Sequence, residues 1–154
     1  MAKFLSKVKF NFLGTYIARV RGSVESNLFK SAFGWVNNSL VDLTEAGELS
    51  CGAHVSGILA MTGLIKEMHL TVDGVLKDME QFGWYEIKNL KPGAILLWEP
   101  KITKQGRICA HVGFCIDNLS AISNSETSKV PIQHSLDYDG TRKIEKIFWH
   151  PKLD

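Results

Sequence analysis

The sequence predicts an α+β domain, with helices in the first half of the chain and antiparallel strands in the second. Apolar residues recur at helical spacing as far as Phe82. After Gly83 they form short runs separated by turn residues, which is typical of strands. Helices followed by a succession of strands indicate an α+β domain. No repeat or Pro/Gly/Ser-rich linker interrupts the 154 residues, so we expect a single domain over 1–154.

The N-terminal arm, about residues 1–30, favours a helix that ends at Gly22 and Ser23. Its apolar residues recur every four positions, at Phe4, Val8, Phe12, Tyr16 and Val20. Residues 8–12 also alternate as in a strand, so a strand remains an alternative there. A short element at 28–36 and a turn at 37–39 should follow.

Two further helices are predicted. Ser50 is a good N-cap residue, and Val55, Ile58, Leu59 and Leu64 follow at helical spacing, which places Cys51 in the first turn of a core helix. The second helix should run from about Thr71 to Phe82, with apolar residues three and four positions apart.

The second half of the chain contains five apolar runs of strand length. The first follows the turn signal Pro92-Gly93. The predicted strands are 94–98, 108–116, 121–124, 129–132 and 144–149.

The charge is unevenly distributed. The chain has a net charge of +2, yet the arm holds six basic residues against Glu25 alone. Such an arm could contact a polyanion, although a solvated helix face explains the same charges.

No apolar run reaches the roughly 20 residues of a membrane span. We read no signal peptide in the basic N-terminus, and three cysteines make no disulfide framework. These features predict a cytoplasmic protein, or one exported without a signal peptide.

Cys51 is the candidate nucleophile. A thiol in the first turn of a helix feels the positive end of the helix dipole, which favours the thiolate. The free N–H groups of the same turn can receive an oxyanion. A buried structural cysteine is the alternative.

His111 is the candidate base, because it interrupts an apolar strand where an unpaired polar ring would be costly. The competing histidines are His54, His69, His134 and His150. His54 would aim poorly at a thiol three residues earlier on its own helix. His150, beside Pro151 near the C-terminus, is expected to be exposed.

Three segments together resemble the papain-like cell-wall cysteine peptidases, namely the NlpC-type peptidases and the CHAP amidohydrolase/peptidases. They are SCGAHV at 50–55, LKPGAIL at 90–96 and AHVGFCI at 110–116. The resemblance covers about residues 45–132 and implies a nucleophile at the start of a helix packed on an antiparallel sheet. It assigns Cys51 as nucleophile and His111 as base. Ala94 departs from the Asp usual in these families.

The third catalytic position depends on the alignment. An NlpC-type alignment places Ser123 there and a CHAP-type alignment places Asn124. An asparagine can accept the imidazole N–H and hold its tautomer. We therefore expect Asn124 rather than Ser123, with ordinary turn chemistry as the alternative for both.

The resemblance implies a thiol-dependent amide hydrolase that acts on a peptide or peptidoglycan fragment. No cofactor is expected. A shared zinc is not expected either, since Cys109 and Cys115 would stand roughly 20 Å apart on one strand. The alternatives are a binding module of the same fold, and an amidase or acyltransferase that acts on a cytosolic protein or small substrate.

Overall fold

The computed structural model describes residues 7–154 and confirms the α+β class. The helices of this part of the chain are α1 (Phe12–Gly22), α2 (Cys51–Met61) and α3 (Val72–Gln81). A small antiparallel sheet consists of β1 (Phe33–Val36) and β2 (Ser39–Asp42). The main sheet contains β3 (Tyr85–Ile87), β4 (Ile95–Ile102), β5 (Ile108–Cys115), β6 (Ser120–Asn124), β7 (Pro131–Ser135) and β8 (Ile144–Trp149). Its strand order is β3-β8-β4-β5-β6-β7, and all neighbours are antiparallel.

Helix α1 occupies only the second half of the predicted helix of the arm. The side chain of Asn11 accepts the N–H of Gly14 at 2.8 Å and so caps the helix one residue before Phe12. Residues 7–11 are not helical, and Phe4 lies outside the described residues. Tyr16 anchors the helix to the sheet, because its buried hydroxyl donates to Gly93 O at 2.9 Å. Arg19 and Arg21 are exposed, and their contact with a polyanion stays a prediction.

The predicted element at 28–36 contains β1, which is the first strand of the hairpin β1–β2. Strand β2 was not expected. Asn37 and Asn38 adopt left-handed φ angles of 48° and 63°, the conformation of a two-residue hairpin turn. Asparagine tolerates this region better than most residues. The predicted turn is therefore confirmed.

Helices α2 and α3 lie where the spacing placed them. Helix α2 begins at Cys51, and its Val55, Ile58 and Leu59 are buried in the core. Helix α3 begins after Thr71, whose hydroxyl accepts the N–H of Gly74 at 3.1 Å. None of the helices between residues 7 and 154 is both long and apolar enough to cross a membrane.

The core lies between the helices and the main sheet. The ring of Phe114, on β5, lies 6.1 Å from that of Tyr16 on α1 and 5.3 Å from that of His54 on α2. Each predicted strand is present, with shifted ends; strand β7, for example, begins at Pro131 rather than at residue 129. The short strand β3 was not predicted, and it pairs only with β8.

Candidate active site

Cys51 and His111 line one cavity of about 810 Å³. It lies between the first turn of α2, the start of α3 and strands β4 to β7. Ser123, Tyr138 and Arg142 also line it. This volume lies in the range of small-molecule and peptide-binding pockets.

Cys51 is the first residue of α2 and is half-buried. Ser50 occupies the N-cap position, but its buried hydroxyl caps no N–H group of the helix, contrary to the sequence-based expectation. The N–H groups of the first turn have no partner within the helix, and the side chain of the cap residue accepts no hydrogen bond from them. Gly52 allows close packing beneath this turn, because a Cβ there would lie 2.9 Å from the Leu70 carbonyl oxygen.

The thiol of Cys51 is protonated at neutral pH. Burial raises its pKa above the ordinary value, and hydrogen bonding from the backbone N–H groups of Val112 and Gly52 offsets only part of this effect. The expectation that the helix start by itself favours the thiolate is wrong here. Desolvation outweighs the hydrogen bonds and the charge of Arg142 that lower the pKa of the thiol, so a base would be needed to form the thiolate at neutral pH.

His111 lies on β5 with one ring nitrogen bonded and the other free. Its Nε2 is 2.9 Å from Ser123 Oγ, and its ring lies 5.3 Å from the ring of Trp98, its cross-strand partner on β4. Within residues 7–154 its Nδ1 has no hydrogen-bond partner. Burial lowers the pKa of His111 to about 3, so the imidazole is neutral at pH 7.

The hydrogen bonds beyond Ser123 determine the tautomer of His111. His134 Nδ1 lies 2.7 Å from the Ser135 carbonyl oxygen, which can only accept, so this nitrogen donates. Burial lowers the pKa of His134, and its Nε2 is therefore an acceptor, 2.7 Å from Ser123 Oγ. Ser123 must donate its single hydrogen to His134. It can then only accept from His111 Nε2–H, which leaves the lone pair of Nδ1 available as a base.

Tyr138 completes the coordination of Ser123. Its hydroxyl lies 2.8 Å from Ser123 Oγ and supplies the second hydrogen that this oxygen can accept. Its ring stacks on that of His134 with centroids 4.0 Å apart. We call His111, Ser123 and His134 the relay. The hydroxyl hydrogen of Ser123 and both lone pairs of its Oγ take part in hydrogen bonds.

Gly113 makes room for the relay. A Cβ at this position would lie 2.6 Å from the Cβ of Ser123 and 2.8 Å from the Ile122 carbonyl oxygen. Any larger residue would push β6 away from β5 and separate Ser123 from His111. The glycine of the His-Val-Gly segment thus has a steric explanation.

The prediction that Asn124 orients the imidazole is wrong. Its side-chain amide donates to the Gly47 carbonyl oxygen at 2.7 Å, in the short 3-10 turn that precedes α2. Successive strand residues face opposite sides of a sheet, so only one of Ser123 and Asn124 can meet His111. The structure brings Ser123 to the imidazole, and Asn124 instead holds the loop that leads to Cys51.

The sequence offered His134 only as a competing base or as a fallback residue for orienting His111, and it did not assign Tyr138 to the site. In the β6–β7 ladder His134 pairs with Ala121 and Ser123 with Ile132, which puts His134 diagonally opposite Ser123 on the same face. The register of β7 against β6 was the only signal that could have placed His134 beside Ser123, and it depends on where β7 begins.

The remaining histidines lie outside the cavity lining. His69 Nε2 is 2.7 Å from an oxygen of Asp78. His150 is buried, not exposed as expected: its Nδ1 accepts from Lys152 N, and its Nε2 donates to the Phe82 carbonyl oxygen at 3.0 Å. His54 packs between Phe29 and Phe114 in the core.

Among residues 7–154, no three His, Cys, Asp or Glu side chains are grouped as ligands for a metal ion. The site instead consists of a thiol, an imidazole of defined tautomer and the N-terminus of α2. In comparisons with known proteins, no family model and no curated sequence matches the chain.

Proposed function

We propose that this protein is a cysteine hydrolase that cleaves an amide bond through an acyl-enzyme on Cys51. One observation carries the proposal. In a single cavity, a thiol at a helix N-terminus is accompanied by a histidine whose Nε2–H is held by Ser123, so that its Nδ1 is free to accept a proton. A neutral thiol and a neutral imidazole are a suitable resting pair for general-base catalysis.

In the proposed reaction, the sulfur of Cys51 attacks the amide carbonyl carbon as His111 Nδ1 takes the thiol proton. The negative charge on the carbonyl oxygen is stabilised by the backbone N–H of Cys51 and a second donor at the same helix terminus. When the tetrahedral intermediate collapses, the C–N bond breaks and His111 protonates the departing amine. Water, deprotonated by His111, then attacks the thioester and releases the acid and the free thiol.

Ser123 supports both protonation states of His111. Its oxygen accepts the Nε2–H of the neutral ring and of the imidazolium that forms during attack. His134 fixes the direction of this bond by accepting the serine hydrogen. Holding the tautomer of the catalytic histidine is the function of the third residue in Cys-His-Asn sites.

The substrate class we propose is a peptide, in the first instance the peptides of peptidoglycan. The support is the order of the three motifs at 50–55, 90–96 and 110–116, which resembles the papain-like cell-wall peptidases. A nucleophile at the start of α2, packed against the sheet that holds His111, agrees with a papain-like arrangement.

The test is digestion of purified peptidoglycan with mass analysis of the released fragments. Wild type should release peptides, and Cys51→Ser should release none above background. Cys109→Ser is the matched control, because Cys109 lines the same cavity and should be dispensable. Equal release by wild type and Cys51→Ser would overturn the catalytic proposal. No release by wild type, with cleavage of other peptides that depends on Cys51, would overturn only the peptidoglycan assignment.

A further inference from the structure

Arg142 is a cation that two strands hold at the wall of the cavity. It lies between β7 and β8. Its Nε donates to the Glu99 carbonyl oxygen at 2.8 Å, and its Nη2 donates to the Cys109 carbonyl oxygen at 3.0 Å. Glu99 stands where the register of β4 against β5 shifts, between Trp98 and Lys101. The irregularity therefore accommodates the arginine and directs it to the site.

The guanidinium has unused donors and, among the residues that the structure describes, no counter-ion. Of its five N–H hydrogens, two are used by the carbonyl groups of Glu99 and Cys109. No carboxylate within residues 7–154 forms an ion pair with it. The side chain of Glu99 instead accepts from the backbone N–H of Lys143. A half-buried cation without a partner is costly, and such a cost is typical of a site whose counter-ion is a ligand.

Three carboxylates line the cavity, and none of them bonds Arg142. Glu126 accepts the backbone N–H of Lys104 at 3.4 Å, and the other two are paired with lysines. Glu48 bonds Lys129 at 3.1 Å, and Asp73 bonds Lys77 at 2.8 Å. Arg142, by contrast, acts electrostatically on both reacting groups: its charge favours the thiolate of Cys51 and lowers the pKa of His111. Arg142 also lines the cavity that Cys51 and His111 line, so a ligand held in this cavity can meet all three side chains.

We propose that Arg142 binds a carboxylate that the substrate carries next to the amide bond attacked by Cys51. The proposal rests on the proposed function and defines its substrate class as peptides with a free carboxyl group beside the scissile bond. The planar guanidinium suits this role, because its parallel N–H groups match the two oxygens of a carboxylate.

The experiment compares the alkylation of Cys51 by iodoacetate, an anion, and by iodoacetamide, its neutral analogue. Both reagents consume the thiolate, so the ratio of their rates does not depend on the pKa of Cys51. Modification is followed on the tryptic peptide 31–66, which contains Cys51 and no other cysteine. The ratio is divided by that of N-acetylcysteine amide, a thiol without a carboxylate, to remove intrinsic reactivity.

Wild type should prefer iodoacetate by about fivefold to tenfold at low ionic strength, with the preference falling in high salt. Arg142→Gln should abolish the preference, and Arg142→Lys should retain part of it. Lys101→Gln is the matched control, since Lys101 is an exposed cation of the same cavity, and should leave the ratio unchanged.

A wild-type ratio equal to that of N-acetylcysteine amide would overturn the inference, whether or not the variants fold. So would loss of the preference in Lys101→Gln and not in Arg142→Gln. In these cases Cys51 still reacts and the proposed function stands. A Cys51 that reacts with neither reagent would contradict the proposed function itself.

Discussion

His54 and His111 are two histidines that each hydrogen-bond a serine hydroxyl through Nε2, at 2.8 Å to Ser23 and at 2.9 Å to Ser123. Burial lowers the pKa of each to about 3. Each ring packs against aromatic neighbours. By residue type, partner and pKa, the two sites are nearly the same.

The two sites differ in what lies beyond these shared bonds. The Ser23 hydroxyl donates to the Val20 carbonyl oxygen at 2.7 Å, and the buried His54 Nδ1 has no hydrogen-bond partner within the described part of the chain. The Ser123 hydroxyl instead donates to His134, and His111 lies at a cavity that also holds Cys51. A lowered pKa and a serine partner therefore do not identify a catalytic histidine. What distinguishes His111 from His54 is its position at the cavity that Cys51 also lines.

The largest expected effect is on acylation by His111→Gln. We expect the burst of p-nitrophenolate from p-nitrophenyl acetate to slow by about 100-fold or more, because general-base catalysis is lost. His54→Gln should slow it little per folded molecule, while lowering stability. Stopped-flow absorbance measures the burst and thermal melts report the folded fraction. Equal slowing in both variants would remove the distinction between the two histidines.

Substitution of the two serine partners should distinguish the two sites in the same way. Ser123→Ala should slow acylation by about tenfold to 100-fold, since His111 can then adopt the wrong tautomer or orientation. Ser23→Ala should leave the acylation rate unchanged and cost about 1–3 kcal/mol of unfolding free energy, because His54 Nε2–H loses its acceptor. Burst kinetics and urea titrations on both variants measure these effects. A silent Ser123→Ala would show that the relay does not assist catalysis.

Asn124→Ala tests the corrected role of this residue. Its loss leaves the Gly47 carbonyl oxygen without its side-chain donor, so we expect a loss of about 1–3 kcal/mol in unfolding free energy. Acylation per folded molecule should stay within about twofold of wild type. A large rate loss at unchanged stability would return Asn124 to the catalytic site.

The last comparison concerns a dependence of stability on pH that both histidines share. A pKa of about 3 in the folded state lies below the ordinary value of 6.5, so the unfolded chain binds more protons between these values. The stabilisation is complete above pH 6.5 and is lost as the pH falls toward 3. His54→Leu should flatten the fall in melting temperature between pH 7 and pH 5. An unchanged slope would mean that His54 does not titrate as its burial requires.

The sequence alone determined most of the helices and strands and the positions of Cys51 and His111 on them. Helical spacing after Ser50 placed Cys51 at the start of a helix, and the apolar run around His111 placed that residue on a strand. These are local properties, since periodicity and capping act within a few residues. The hairpin β1–β2 and strand β3 were missed because their stretches are short and largely exposed.

Only the tertiary structure decided how the site is completed. Whether Ser123 or Asn124 meets His111 depends on which of them lies on the same face of the sheet as His111, and a shift of one residue exchanges the two. The register of β7 against β6 brings His134 next to Ser123. Arg142 lies against β4 where the register of that strand shifts. The protonation of Cys51 was also decided there, because desolvation depends on every group packed around the thiol and not on its position in a helix.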